Sequence, residues 1–151
     1  MNIEFKKIAK IDYETLNCVT LFDDNTIDRA FGVISDGLIN YKLGWQSDIL
    51  KPKMLNIVDQ IYLVGVDQNL AIFDFINGEI VLKLYLDYFF YDAILYNDSI
   101  LIINELELIK VDSRSFDIIE TYGLPDFVEK IEFKDGMIEI HCYEDQILKV
   151  K

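Results

Sequence analysis

At 151 residues with 52% apolar side chains, the chain has material for one domain with a sizeable core, and that composition excludes an intrinsically disordered chain. Its 27 acidic and 14 basic side chains leave a net charge of −13, which opposes binding to nucleic-acid phosphates or an anionic membrane, where each contact draws on scarce Lys and Arg. No run approaches the ~18 apolar residues of a membrane span, and the charged start of the chain together with its two cysteines points to a cytoplasmic protein with reduced thiols.

Residues 2–8 alternate loosely and predict a first strand. Residues 16–22, rich in β-branched and aromatic side chains, predict a second. Asp23, Asp24 and Asn25 then mark a turn, because their short side chains compete with strand pairing. Residues 30–34 and 38–43 flank Asp36-Gly37, a pair suited to a type I′ hairpin, where both central positions need positive φ. A polar connection through Lys51, Pro52 and Lys53 leads into more regular sequence.

From there one motif recurs: an Asp, an apolar run, a short gap and a second apolar strand. Its anchors, Asp59, Asp98 and Asp135, lie 39 and 37 residues apart. The first unit reads as strands at 61–66, 70–75 and 79–86, with Asn77-Gly78 closing a hairpin. The second reads as 93–96, 100–103, 106–111 and 118–122. The third gives 128–133, 137–141 and 147–150 and lacks a fourth strand. Helix is hard to place, and 126–133 offers at most one short turn of it. A period of roughly 40 with about four strands is the mark of propeller-type repeats.

Residues 59–112 resemble propeller blades of the WD40 or quinoprotein-like type, in which a strand ends on a polar residue and Asn-Gly or Asp-Gly opens the next hairpin. Leu70 to Asp74, Asn77-Gly78-Glu79 and Leu108 to Asp112 carry the resemblance. The chain departs from WD40 repeats in lacking Gly-His and Trp-Asp pairs, and from quinoprotein repeats in having one tryptophan. The expected fold is all-β, a single β-repeat domain over 1–151. Residues 1–50 supply irregular N-terminal strands and 57–151 supply about three blade-like units of antiparallel sheet. The arrangement is expected to be open or partial, because repeats of ~40 residues do not fill four blades here. An open arrangement leaves sheet edges to be covered, charged or used.

Reactive chemistry is sparse. His141 stands beside Glu139 and Cys142, but strand alternation sends His141 and Cys142 to opposite faces and a metal needs three or four ligands, so an ordinary strand histidine with no metal is expected. Asp23, Asp24, Asn25 and Asp28 lack the glycine and closing glutamate of a calcium loop. Gly32, Gly37 and Gly44 are not spaced as a phosphate loop. No catalytic residue and no cofactor are expected. The least ordinary composition is 85–92, with five aromatics and two aspartates in eight residues. It reads as a loop between sheets, in which Phe89 and Phe90 plug a gap. Tyr88, Tyr91 and Asp92 face a partner there, and Glu105 and Glu107 extend the acidic patch. Trp45 is assigned to the core.

The acidic excess is spread along the chain and so belongs to a folded surface. In size, acidity and lack of chemistry the protein resembles the small acidic bacterial immunity proteins of toxin–immunity pairs. That resemblance implies a non-catalytic, cytoplasmic binding protein that covers the groove of a basic, nuclease-like toxin domain and is a monomer or weak dimer when free. The alternative is a scaffolding β-repeat module that self-associates through its unfinished sheet.

Overall fold

The computed structural model describes residues 2–24 and 28–151; Asn25 of the expected turn lies outside them. Along the chain run β1 (Glu4–Ile8), α1 (Lys10–Thr15), β2 (Val19–Phe22), β3 (Ala30–Ser35), β4 (Asn40–Trp45), β5 (Lys53–Val58), β6 (Ile61–Val66), β7 (Asn69–Asp74) and β8 (Glu79–Tyr85). They continue with β9 (Phe90–Tyr96), β10 (Ser99–Asn104), β11 (Glu107–Asp112), β12 (Ile118–Gly123), β13 (Val128–Lys134), β14 (Met137–Cys142) and β15 (Gln146–Val150). The strands form four separate sheets, ordered β1-β3-β4-β2, β5-β6-β7-β8, β12-β11-β10-β9 and β13-β14-β15. The last three are antiparallel meanders in chain order, the blade unit of propeller-like folds, so the all-β, propeller-like expectation holds. Among the described residues no helix is long and apolar enough to cross a membrane. Two compact units divide the chain, Met1–Leu86 and Asp87–Lys151.

In the first unit, the sheets β1–β4 and β5–β8 share one core, with Ile34, Tyr41, Leu43 and Trp45 packed against Val64, Val66, Phe73 and Phe75. Each fully buried aromatic contributes roughly 2–3 kcal/mol of transfer free energy. The Tyr41 ring lies 4.9 and 5.1 Å from those of Phe73 and Phe75, and its hydroxyl reaches the Phe75 carbonyl at 2.7 Å, so no polar group is stranded. Trp45 is buried as expected, its Nε1 donating to the Leu50 carbonyl at 3.1 Å. Gly32 is required where β1 meets β3, because a Cβ there would collide with the Phe5 ring.

The N-terminal third departs from expectation in three ways. Lys10–Thr15 is a helix of six residues, with Tyr13 its buried side chain. Its last carbonyls are satisfied from outside: Lys42 Nζ donates to the Tyr13 and Leu16 carbonyls at 3.1 and 2.8 Å. β2 then begins at Val19 and pairs parallel to β4, whereas a simple meander would have paired neighbours antiparallel. The Asp36-Gly37 hairpin also differs. Its loop has four residues between Ser35 and Asn40; Gly37 has φ 99°, and the Asp36 carboxylate accepts N–H bonds from Leu38 and Ile39 at 2.9 and 2.7 Å.

In the second unit the sheet β9–β12 packs on β13–β15 through Leu101, Ile103 and Leu108 on one side and Ile138, Ile140 and Cys142 on the other. Tyr91 and Tyr96 span the two sheets, their hydroxyls donating to the Glu129 and Gly136 carbonyls, both at 3.0 Å. Residues 126–133, a possible helical turn by sequence, are strand from Val128 onward, because Ile131 and Phe133 pair with Ile140 and Ile138 of β14. Both cysteines are free, and burial pushes each thiol's pKa up.

The hydrogen bonds sharpen the repeat to 38 residues. The residues that open the first hairpin of each blade are Asp59, Asn97 and Asp135, with φ of 48°, 55° and 52°. These positions are spaced by 38 (97 − 59 and 135 − 97), and Asp and Asn tolerate that left-handed conformation better than other non-glycine residues. The sequence anchor Asp98 is the second residue of its turn, which is why the spacing read as 39 and 37. Phe75 N–H to Gln60 O recurs as Ser113 N–H to Asp98 O, and Leu86 N–H to Gln68 O as Leu124 N–H to Leu106 O, each shifted by 38. Asp36, Asp74 and Asp112, also 38 apart, each accept two backbone N–H bonds within the next three residues.

Candidate functional site

Four links gather at one end of the second unit: 87–89 before β9, 105–106 between β10 and β11, 124–127 before β13 and 143–145 between β14 and β15. Main-chain bonds stitch them together. Glu105 N–H donates to the Phe89 carbonyl, Val128 N–H to the Glu105 carbonyl, Tyr143 N–H to the Phe127 carbonyl, each at 3.0 Å, and Leu124 N–H to the Leu106 carbonyl at 2.8 Å. The Glu105 carboxylate adds a bond from Phe89 N–H at 3.2 Å. Asn104 makes the β10–β11 turn: fully buried, it accepts from Leu106 and Glu107 N–H at 3.0 and 2.6 Å and donates to the Glu107 carboxylate at 3.1 Å.

This end exposes aromatic rings among carboxylates. Tyr88 is 39% exposed, Phe89 48%, Phe127 43% and Tyr143 52%, and the rings of Phe127 and Tyr143 lie 6.5 Å apart. Asp87, Asp126, Glu144 and Asp145 lie in the same links, and residues 87–92, 104–107, 123–127 and 143–145 contain no Lys or Arg. Exposed rings beside unneutralised carboxylates form a surface that rewards contact with an apolar and cationic partner.

The expected site residues fall into two groups. Tyr88 is exposed in its link as anticipated, and Glu105 reaches the same end, half-buried and bonded to Phe89. Tyr91 and Asp92 lie within β9, not in a loop, since the link is only 86–89; Tyr91 is occupied at Glu129, and the Asp92 carboxylate accepts from Ala93 N–H at 2.8 Å. Glu107 is half-buried, bonded to Asn104 at the turn. Phe89, assigned to a gap between sheets, is half exposed, because the short link carries it outward, whereas Phe90 is half-buried as the first residue of β9. Phe127 and Tyr143 were missed. Phe127 is Phe89 shifted by 38 residues and Tyr143 is Glu105 shifted by 38, so the correct period would have found both.

A second cluster lies on the sheet β13–β15, on the face opposite its core. Glu139 and His141 share that face by alternation, and Glu132 is the cross-strand partner of Glu139. His141 Nε2 lies 3.1 Å from Glu139 Oε1 and 3.3 Å from Glu132 Oε2. Lys130 Nζ holds the other Glu132 oxygen at 2.9 Å, and that bond keeps the Glu132 carboxyl below the usual range. Cys142 turns into the core, as alternation predicts, while Glu132 was invisible as a neighbour because cross-strand register is not written in local sequence.

No family model matches the chain, and no curated protein matches it. Solved structures do. The computationally designed protein Ika4 aligns with a TM-score of 0.59 at 13% identity, over 91% of this chain and 93% of that one. Hsv2 of Kluyvelomyces marxianus aligns with a TM-score of 0.51 at 13% identity, over 83% of this chain, which spans 42% of Hsv2. The N-terminal domain of Nup159 aligns with a TM-score of 0.48 at 13% identity, over 97% of this chain and 46% of that one. At such identity, what the chain shares with Ika4 and Hsv2 is the fold alone.

Proposed function

We propose that the protein is a non-catalytic binding protein that neutralises a cationic protein partner, in the manner of an immunity protein covering the basic substrate groove of a nuclease-like toxin. The observation that carries this reading is the end of the second unit, where four hydrogen-bonded links present Tyr88, Phe89, Phe127 and Tyr143 among carboxylates with no basic residue between them. Aromatic side chains supply contact area at low entropic cost, and the carboxylates stand in for the phosphates a nuclease groove would hold. The net charge of −13 raises the encounter rate with a basic surface.

The test screens the products of neighbouring genes for a basic domain that binds this protein, and then asks whether this protein protects cells from that domain. Binding should weaken as salt rises from 50 to 500 mM, chiefly through slower association. The double variant Asp87→Lys, Glu144→Lys, which changes two exposed side chains, should lose at least tenfold in affinity while folding normally. Absence of protection, or equal affinity of the double variant, would overturn the proposal.

A second reading, a scaffolding module that self-associates, draws on β12. All six of its residues are exposed, Ile118, Ile119 and Tyr122 among them, and it is the outermost strand of its sheet. An open edge of that kind invites pairing with another strand. Sedimentation giving a stable dimer indifferent to salt would favour it, and a monomer at all concentrations would remove it.

A further inference from the structure

We infer that Glu132, Glu139 and His141 form a binding site for one divalent transition ion of the zinc class, independent of the acidic and aromatic end described above. The ligand atoms already converge. Glu132, Glu139 and His141 each offer an atom within 4.8 Å of the others, and Nε2 stands 3.1 and 3.3 Å from the two carboxylate oxygens. Bonds of ~2.0–2.1 Å in tetrahedral geometry place neighbouring ligand atoms about 3.3 Å apart, so a zinc ion fits between them with small side-chain adjustments.

The charge balance points the same way. Glu139 is 8% exposed, and among the described residues no Lys or Arg lies within ion-pair distance of its carboxylate; its ion-pair neighbour is His141. A carboxylate this buried needs a cation or several donors. Nε2 faces two carboxylates and can donate at most one N–H, so one hydrogen bond cannot serve both fully, whereas a divalent ion bound there meets both carboxylates at once. Lys130 does not occupy the ligand position. It holds Glu132 Oε1 and leaves Oε2 directed at the imidazole, as an outer partner that orients a ligand does. An imidazole in the donor set selects zinc-like ions over Ca²⁺ and Mg²⁺, which take oxygen ligands. Three protein ligands leave a fourth position for water or a donor from a partner.

The experiment titrates the full chain, freed of any polyhistidine tag, with ZnCl₂ by calorimetry and follows thermal unfolding in parallel. The expected result is one Zn²⁺ per chain with a raised Tm, while Ca²⁺ at the same concentration gives neither. His141→Ala and Glu139→Gln should each weaken Zn²⁺ binding at least tenfold. Glu14→Gln, an exposed change on α1, should leave it intact. Because substitutions at a half-buried cluster affect folding, each variant is compared by circular dichroism. Cobalt substitution gives a second readout, in which the wild type shows the intense visible absorption of tetrahedral Co²⁺ and His141→Ala does not. Zn²⁺ binding equal in wild type and His141→Ala, or a Ca²⁺ response matching that of Zn²⁺, would overturn the inference.

Discussion

Replacing Asn104 by Ala tests whether one buried amide shapes the proposed interface. Asn104 is fully buried and makes three hydrogen bonds, two accepted from the N–H groups of Leu106 and Glu107 and one donated to the Glu107 carboxylate. Alanine leaves both N–H groups without their partner. Each orphaned donor costs about 1–3 kcal/mol when fully buried. Leu106 and Glu107 are half-buried, so water repairs part of the loss; about 1 kcal/mol per bond gives a loss of about 3 kcal/mol. For a chain of this size that corresponds to a fall in Tm of about 6–12 °C.

Urea denaturation and thermal unfolding give the magnitude, and amide exchange gives the location. Glu105 holds Phe89 and Val128 through three bonds, so the N–H groups of Phe89, Glu105 and Val128 should lose protection while those of β14 keep theirs. The companion Asn104→Asp keeps the Oδ1 acceptor but places a second carboxylate against Glu107. It should be destabilised at pH 7, because two like charges then face each other at the turn. A stability for Asn104→Ala within about 0.5 kcal/mol of the wild type, below the cost of a single hydrogen bond, would refute the reasoning.

Acid should weaken the fold through the repeated turn carboxylates. Asp36, Asp74 and Asp112 are held below the usual carboxylate range, chiefly by the N–H groups of Ile39, Asn77 and Ser115 respectively. With folded pKa values under the unfolded value of ~3.9, their contribution is complete above that pH and is lost as pH falls through the folded values. Urea midpoints measured from pH 6 to pH 2.5 should therefore fall, and a triple Asp→Asn variant, which keeps the Oδ1 acceptors, should fall less steeply; parallel slopes count against this account. A third expectation concerns Gly78. At φ 75° it has room for a methyl group, the nearest atoms being Tyr41 Oη at 3.9 Å and Val19 Cγ2 at 4.0 Å, so Gly78→Ala should cost about 1 kcal/mol from left-handed strain alone. Gly123→Ala, with no neighbour within 4 Å and no positive φ, should be close to neutral, and equal costs at the two positions would remove strain as the cause.

What the sequence revealed follows from which forces are local. Alternation and turn chemistry are local, so the blade strands from β6 onward and the turn at Asn77-Gly78 were legible, whereas β5 (Lys53–Val58), whose start read as a polar connection, was missed. Side-chain capping is partly local: an Asp before a tight turn marks that turn but not its length, and the four-residue loop at Asp36 read as a two-residue one. Pairing partners are not local. Nothing in residues 19–22 announces a parallel neighbour at 41–43, and α1 is too short for a periodic apolar face, with Tyr13 its buried side chain. The same limit hid Glu132 from His141, a pair brought together by cross-strand register, while Phe127 was hidden from Phe89 by the misread period.

The 38-residue repeat also indicates where the chain was free to diversify. Asp67, Glu105 and Tyr143 occupy one repeat position in successive blades. Asp67 is buried and clamps the chain after β4, accepting N–H bonds from Gln46 and Ser47 at 2.8 and 2.9 Å. Glu105 is half-buried and does the same for Phe89 at 3.2 Å. At Tyr143 the carboxylate is gone. The main-chain bond to the Phe127 carbonyl remains, and the side chain is a half-exposed ring packed beside Phe127. Across the three blades the position passes from clamp to partial clamp to exposed aromatic. A residue relieved of holding its neighbour is one whose identity the fold no longer dictates, and in the third blade that freedom coincides with an exposed pair of aromatics, Phe127 and Tyr143, beside Asp126, Glu144 and Asp145. Substituting Tyr143 by Ser should therefore leave stability within about 1 kcal/mol of the wild type yet remove a central contact of the proposed interface, whereas Asp67→Ser should unfold the first unit's connection without touching that surface. The reverse outcome, a destabilised Tyr143→Ser and a stable Asp67→Ser, would mean that the repeat equivalence does not govern which positions carry structure and which carry binding.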